Sequence, residues 1–138
     1  MKLIPYIFFK DQCRAAMSFY GEIFGTTPEF MTVGDMPAED QAQMPGVPAD
    51  AVMHCGLPIG DGWLYASDDP FGEPPVMSGC NVSITLPDEA ETKRVWNALA
   101  DGAEVRMDLE PQFWSPLFGT LTDRFGIRWM VMCDGPAP

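Results

Sequence analysis

The sequence holds one histidine (His54), no C-x-x-C pair, few cations and no long apolar run. No stretch reaches the ~18 apolar residues of a membrane span. The N-terminal MKLIPYIFFKDQ, broken by Pro5, lacks the apolar region and small-residue cleavage site of a secretory signal. Eight Lys and Arg against 20 Asp and Glu leave a formal charge of −12. A field of that sign repels phosphate backbones and anionic bilayers, which argues against nucleic acid or membrane as a partner. An anionic small molecule would need a local cationic pocket, and the cations are scattered along the chain. The four cysteines (Cys13, Cys55, Cys80, Cys133) have neither zinc or redox spacing nor the density of a disulfide scaffold. The expectation is a cytoplasmic protein with reduced thiols.

What is present suits a folded core. In 138 residues, 46% are hydrophobic, with 9 Phe, 4 Trp and 3 Tyr, which is not the composition of a disordered chain. Leu3 to Phe9 reads as a buried strand. Asp11 is placed to cap a helix whose buried stripe is Cys13, Ala16, Met17, Tyr20, Ile23 and Phe24, ended by Gly25. A strand over Pro28 to Val33 follows. From Gly34 to Asp50 the pattern dissolves, with three prolines and four acids in 17 residues, and reads as a surface loop or flap. Two strands then meet at Gly60-Asp61-Gly62, a hairpin sequence.

The second half repeats this order. Cys80 to Leu86 alternates, with Val82, Ile84 and Leu86 on one face and Asn81, Ser83 and Thr85 on the other. Asp88 and Glu91 mark a helix start, and Thr92, Val95, Trp96 and Leu99 form its buried stripe. Gly102 closes the helix, AEVRM opens another strand, and a final hairpin turns at Asp123-Arg124-Phe125-Gly126. FYGEIFG and VWNALADG occupy matching places in the two halves, so strand-helix-strand-strand-strand occurs twice.

With this duplication in hand, IPYIFFKDQCRAAMSFYGEIFG, VMHCGL-IGDGWLYASD and FWSPLFGTLTDRFGIRWMV resemble the PhnB-like branch of the vicinal-oxygen-chelate superfamily, which holds glyoxalase I, bleomycin-resistance proteins and extradiol dioxygenases. The resemblance implies an α+β fold. It would be a single glyoxalase-like domain over 1–138, with βαβββ modules at about 1–68 and 79–134, mixed sheets curved around a shared cavity and helices outside. It also implies a homodimer. Some members of the branch are called demethylubiquinone methyltransferases, but this chain has no Gly-rich turn after a strand to hold S-adenosylmethionine.

Metal-dependent members place His, Glu, His and Glu on four strands, leaving sites open for two substrate oxygens. On that pattern the positions fall on Pro5, near Tyr65, on Asn81 and on Met130. None is His, Asp or Glu, so no metal and no cofactor is expected. A relocated site would have to use His54 with Asp50, Asp68 or Asp69; the plainer reading makes His54 a hydrogen-bonded strand residue and the aspartates solvated loop ends.

The remaining candidates are weighed by face. His54 and Cys55 are neighbours on a strand and point apart, so they form no dyad. The cysteines read as buried packing residues. Arg128 shares with Met130 and Met132 the face that the resemblance implies is turned to the cavity, where it could grip a carboxylate or phosphonate, or lie at the rim paired to an acid. Tyr65, Asn81, Ser83 and Thr85 could orient a ligand or hold water. Phe113-Trp114 could stack on a planar ligand or pack against the other module. The ligand-pocket set is Phe9, His54, Tyr65, Asn81, Ser83, Trp114, Arg128 and Met130, with His54 the candidate base of any catalysis. Two functions remain: a small-molecule binding protein without the usual metal ligands, or a lyase or isomerase with a relocated metal or metal-free chemistry.

Overall fold

Short apolar strands and amphipathic helices build two like units in the computed structural model, which describes residues 1–136. They span Met1–Pro75 and Val76–Pro138. The first contains β1 (Tyr6–Phe9), α1 (Cys13–Phe24), β2 (Glu29–Thr32), a short α2 (Ala38–Gln41), β3 (Val52–Ile59) and β4 (Gly62–Asp68). The second contains β5 (Val82–Leu86), α3 (Glu89–Ala100), β6 (Glu104–Gln112), β7 (Ser115–Thr122) and β8 (Arg128–Cys133). Each sheet has four strands and stays open, in the orders β1-β4-β3-β2 and β5-β8-β7-β6. In both, the first strand lies parallel to the last and the other pairings are antiparallel. The α+β fold of two βαβββ repeats expected from the sequence is therefore present. No helix among the described residues is long and apolar enough to cross a membrane.

The long helices bury the stripes expected of them: Cys13, Ala16, Met17, Tyr20 and Ile23 on α1, and Thr92, Val95, Trp96 and Leu99 on α3. Phe24 is only half-buried. Gly25 ends α1 at φ 69°, the left-handed conformation for which glycine carries no steric penalty. The two helix starts differ. Asp88 accepts from the Glu91 amide at 2.8 Å, a local cap. The expected cap of α1 by Asp11 does not form: Asp11 turns left-handed at φ 64° and Gln12 takes the N-cap position without a side-chain bond. The Cys13 amide is instead met at 3.0 Å by Asp68 Oδ1, from the end of β4, while Asp68 Oδ2 accepts from the Val52 amide at 3.2 Å.

Asp68 is thus a buried clasp between helix and sheet, not the solvated loop end its sequence position suggests. Asp68→Ala leaves two amide donors without their acceptor and should lower stability by about 2 kcal/mol. A urea midpoint unchanged from the parent protein would disprove the clasp.

Residues 34–50 are also more ordered than expected. Asp35 Oδ2 accepts from the Thr32 amide (2.9 Å) and hydroxyl (3.0 Å), setting a single 3-10 turn over Val33–Asp35. The amides of Val33 and Gly34 bond back to Ala51 and Ala49, and Gln41 Nε2 donates to Met36 O at 2.7 Å. Such local side-chain bonds leave no period to read, which is why the segment looks structureless in sequence.

In the second unit the β7–β8 turn is built around Asp123, which is 4% exposed. Its Oδ1 accepts from the amides of Phe125 (2.9 Å) and Ile127 (3.0 Å), and its Oδ2 from the indole N–H of the fully buried Trp129 (2.9 Å). On the same sheet, Gly119 lies under the ring of Trp96.

Candidate functional site

Each helix covers one face of its own sheet, and the chemistry lies on the other. In the first unit, β1 sends Ile7 and Phe9 to the helix side and Tyr6 and Phe8 to the opposite side. Phe9 is 3% exposed and Phe8 54%, so Phe9 is a core residue and does not join the predicted ligand set. YIFF carries no polar position to reveal its alternation. The strand also begins at Tyr6, not at Leu3. Register then fixes the true face, with Tyr6 beside Tyr65 and Phe8 beside Ser67.

His54 and Tyr65 come together on that face, joined by Tyr6, which sequence reasoning did not single out. The Tyr6 hydroxyl and His54 Nδ1 lie 3.1 Å apart. The His54 ring meets Tyr65 edge-on at 4.9 Å and tilts against Tyr6 at 5.7 Å, and Trp63 meets Tyr65 at 6.0 Å. Gly56 lies beneath, where an added Cβ would touch the rings of Trp63 and Tyr65 at 3.5 Å. Met31, paired with His54, extends the surface. The result is an aromatic platform with one imidazole and two phenols.

Asp68 lies on the core side of β4 and does not reach His54, and Asp69 Oδ1 accepts from the Phe71 amide. Among the described residues no three His, Cys, Asp or Glu side chains gather as a metal shell. Pro5 offers only its carbonyl, which accepts from the Tyr65 amide at 3.0 Å.

Cys55 is buried on the face opposite His54, as strand alternation requires. Its hydrogen bond with Cys13, reinforced by burial, pushes the Cys13 thiol far up, so Cys13 stays protonated and inert. Cys133 is buried, but Cys80 is exposed, contrary to expectation, because β5 begins only at Val82 and strand alternation does not extend back to Cys80. One thiol per native chain should therefore react quickly with an aromatic disulfide reagent and four after unfolding. Two fast native thiols would contradict the buried placement of the others.

In the second unit Asn81, Ser83, Arg128 and Met130 share the face away from α3. Ser83 pairs with Met130, which pairs with Thr120, and Thr122 pairs with Arg128. Among the described residues Arg128 is held by an amide and not by an acid. Its Nε donates to Asn81 Oδ1 at 3.3 Å, and a second cation, Arg106, donates to the same oxygen through Nη2 at 2.8 Å. Arg106 Nη2 also reaches Leu121 O at 3.2 Å. Partial desolvation, followed by the charge of Arg128, lowers the Arg106 pKa, and Glu104 acts in the opposite sense. Register shifts in β6 on both sides of Met107 hid Arg106 from period-2 reading.

Phe113 and Trp114 form the turn between β6 and β7, which starts at Ser115. The Trp114 ring meets Phe113 at 4.7 Å and Phe118 at 5.2 Å, both edge-on.

Comparison with known proteins agrees with this architecture. Protein PA1353 from Pseudomonas aeruginosa superposes with a TM-score of 0.86 at 39% identity, covering 97% of this chain and 98% of that one. The PhnB protein from Bacillus cereus shares the fold, with a TM-score of 0.78 at 19% identity over 97% of this chain and 100% of its own. Protein YjdN from Escherichia coli is 29% identical across 95% of this chain and 94% of its own length. The family model for the glyoxalase/bleomycin resistance protein/dioxygenase superfamily matches residues 2–131. The chain belongs to that superfamily.

Proposed function

We propose that this is a PhnB-like member of the superfamily that binds a small organic molecule on the helix-free side of its sheets, without the usual metal. The aromatic platform around His54 carries the reading. Tyr6, Trp63 and Tyr65 offer rings to a planar or apolar ligand, while the His54–Tyr6 pair supplies polar atoms to orient it. The residues at the four ligand positions support it further: Pro5, Tyr65, Asn81 and Met130 are a poor donor set for a hard or borderline divalent ion. The ligand-facing set is then His54, Tyr65, Asn81, Ser83, Trp114, Arg128 and Met130, with Tyr6 added. A cytoplasmic homodimer, one glyoxalase-like domain per chain, belongs to the same reading.

The test is thermal denaturation against a panel of neutral aromatic and amphipathic compounds, with metal content measured in parallel after reloading with Ni, Zn, Mn and Fe(II). A rise in melting temperature with at least one compound, lost in Tyr65→Ala, is expected, with near-zero metal. A panel that shifts nothing overturns the proposal.

The His54–Tyr6 hydrogen bond favours a second reading, a lyase or isomerase in which His54 moves a proton, because it orients the one imidazole of the chain. One ion per chain, lost in His54→Ala, would favour this reading with a relocated metal. An unchanged rate for His54→Ala on a verified substrate would remove His54 as the base.

A further inference from the structure

Three basic side chains of the second unit sit beside carboxylates: Lys93 with Glu89, Arg94 with Glu91 and Arg124 with Asp101. Arg106 and Arg128 do not. Among the described residues neither has a carboxylate within ion-pair distance, although the chain carries 20 acidic residues against eight basic ones. The two guanidinium groups converge on one neutral oxygen, Asn81 Oδ1. An amide at that point holds both side chains in place and leaves them without an ion pair, with Glu104 acting on Arg106 only from beyond that distance. A carboxylate there would satisfy the same two hydrogen bonds and cancel one charge.

Holding two like charges side by side costs folding free energy through their mutual repulsion unless something else uses them. Partial burial raises that cost for Arg128, which is half-buried beside Met130 and Thr122. Each guanidinium has N–H groups beyond the bonds described, and the planar fork of a guanidinium suits an oxyanion.

We propose that Asn81, Arg106 and Arg128 form an oxyanion subsite that selects ligands bearing a carboxylate or a phosphate ester. This names the ligand class of the proposed binding site, and rests on that reading in placing the ligand on the helix-free face of the second sheet. The local pair is what allows an anion to approach a chain of net charge −12.

The test uses three probes that share a phenyl ring: benzoate, phenyl phosphate and neutral benzamide. They are titrated into the full chain while the arginine Nε–H signals are followed by NMR. Both anions should shift Arg106 and Arg128 saturably and bind at least about tenfold tighter than benzamide, as charge-assisted bonds predict. The tighter of the two identifies the head group. Arg106→Gln and Arg128→Gln should each weaken the anions about tenfold and leave benzamide unchanged.

Asn81→Asp builds the missing carboxylate in. It should abolish anion binding and raise the melting temperature by about 3 °C or more, so the key variant cannot fail merely by unfolding. Benzamide binding as tightly as benzoate overturns the subsite and leaves the broader binding proposal standing. A silent response to all three probes, together with a silent neutral panel, removes both.

Discussion

Asp123→Ala should be among the most destabilising single substitutions in the chain, at about 3–5 kcal/mol. Three donors lose their acceptor at once: the amides of Phe125 and Ile127 and the indole of Trp129. Each buried unsatisfied donor costs about 1–3 kcal/mol, and the values are not fully additive. Loop polarity alone would predict a few tenths, so the magnitude separates the two views. Asp123→Asn is the sharper control. It keeps the volume, but an amide presents a donor where the carboxylate accepts on both sides, and it should recover only part of the loss. Guanidinium denaturation settles the matter, and a cost below about 1 kcal/mol for the alanine variant would contradict the bonding described. Because the Trp129 indole is tied to this carboxylate, near-UV circular dichroism should change in the same variants.

Gly119→Val should cost about 3 kcal/mol for an unrelated reason. Gly119 has ordinary backbone torsions, so the constraint is space. An added Cβ would lie 2.7 and 2.8 Å from the Trp96 ring and 3.0 Å from the Leu109 Cα. Trp96 is buried between α3 and the sheet, and Leu109 would have to move as backbone, so neither can give cheaply. Gly25 is the contrasting case, strained in φ but open in space, with nothing within 4 Å of a built Cβ. Gly25→Ala should therefore cost only about 1 kcal/mol. Thermal denaturation of the two variants checks the ranking. A double variant, Gly119→Val with Trp96→Leu, should recover part of the first loss, and no recovery would place the clash elsewhere.

Much of the architecture is legible in the sequence because its signals are local or repeated. The α3 start was legible since Asp88 caps it from within the next turn. The α1 start was not, because its acceptor comes from Asp68, 55 positions away, and no window along the chain joins the two. Strand faces follow the same rule. VSITL alternates and so displays its polar face, whereas YIFF is aromatic or apolar throughout, so Phe9 and Phe8 are told apart only by register. The candidate site was half-legible for a related reason. His54, Tyr65 and Arg128 lie on regular strands and Asn81 directly before one, while Arg106 sits beside register shifts that break the count of two. Tyr6 was in plain view but had no partner until β1 was laid along β4.

The parallel pairing that opens and closes each sheet also bears on how the chain acquires its structure. Tyr6 finds its neighbour only when Tyr65 is in place, and Val82 only when Trp129 is. Hairpins β3–β4 and β7–β8 can close early over short turns, but the first strand of each unit must wait for the last and close nearly the whole unit as a loop. During synthesis, β1 and α1 leave the ribosome well before the strand that shelters them. The apolar run Ile7–Phe9 and the stripe of α1 are then exposed for that interval, a window in which chaperone capture or self-association competes with folding.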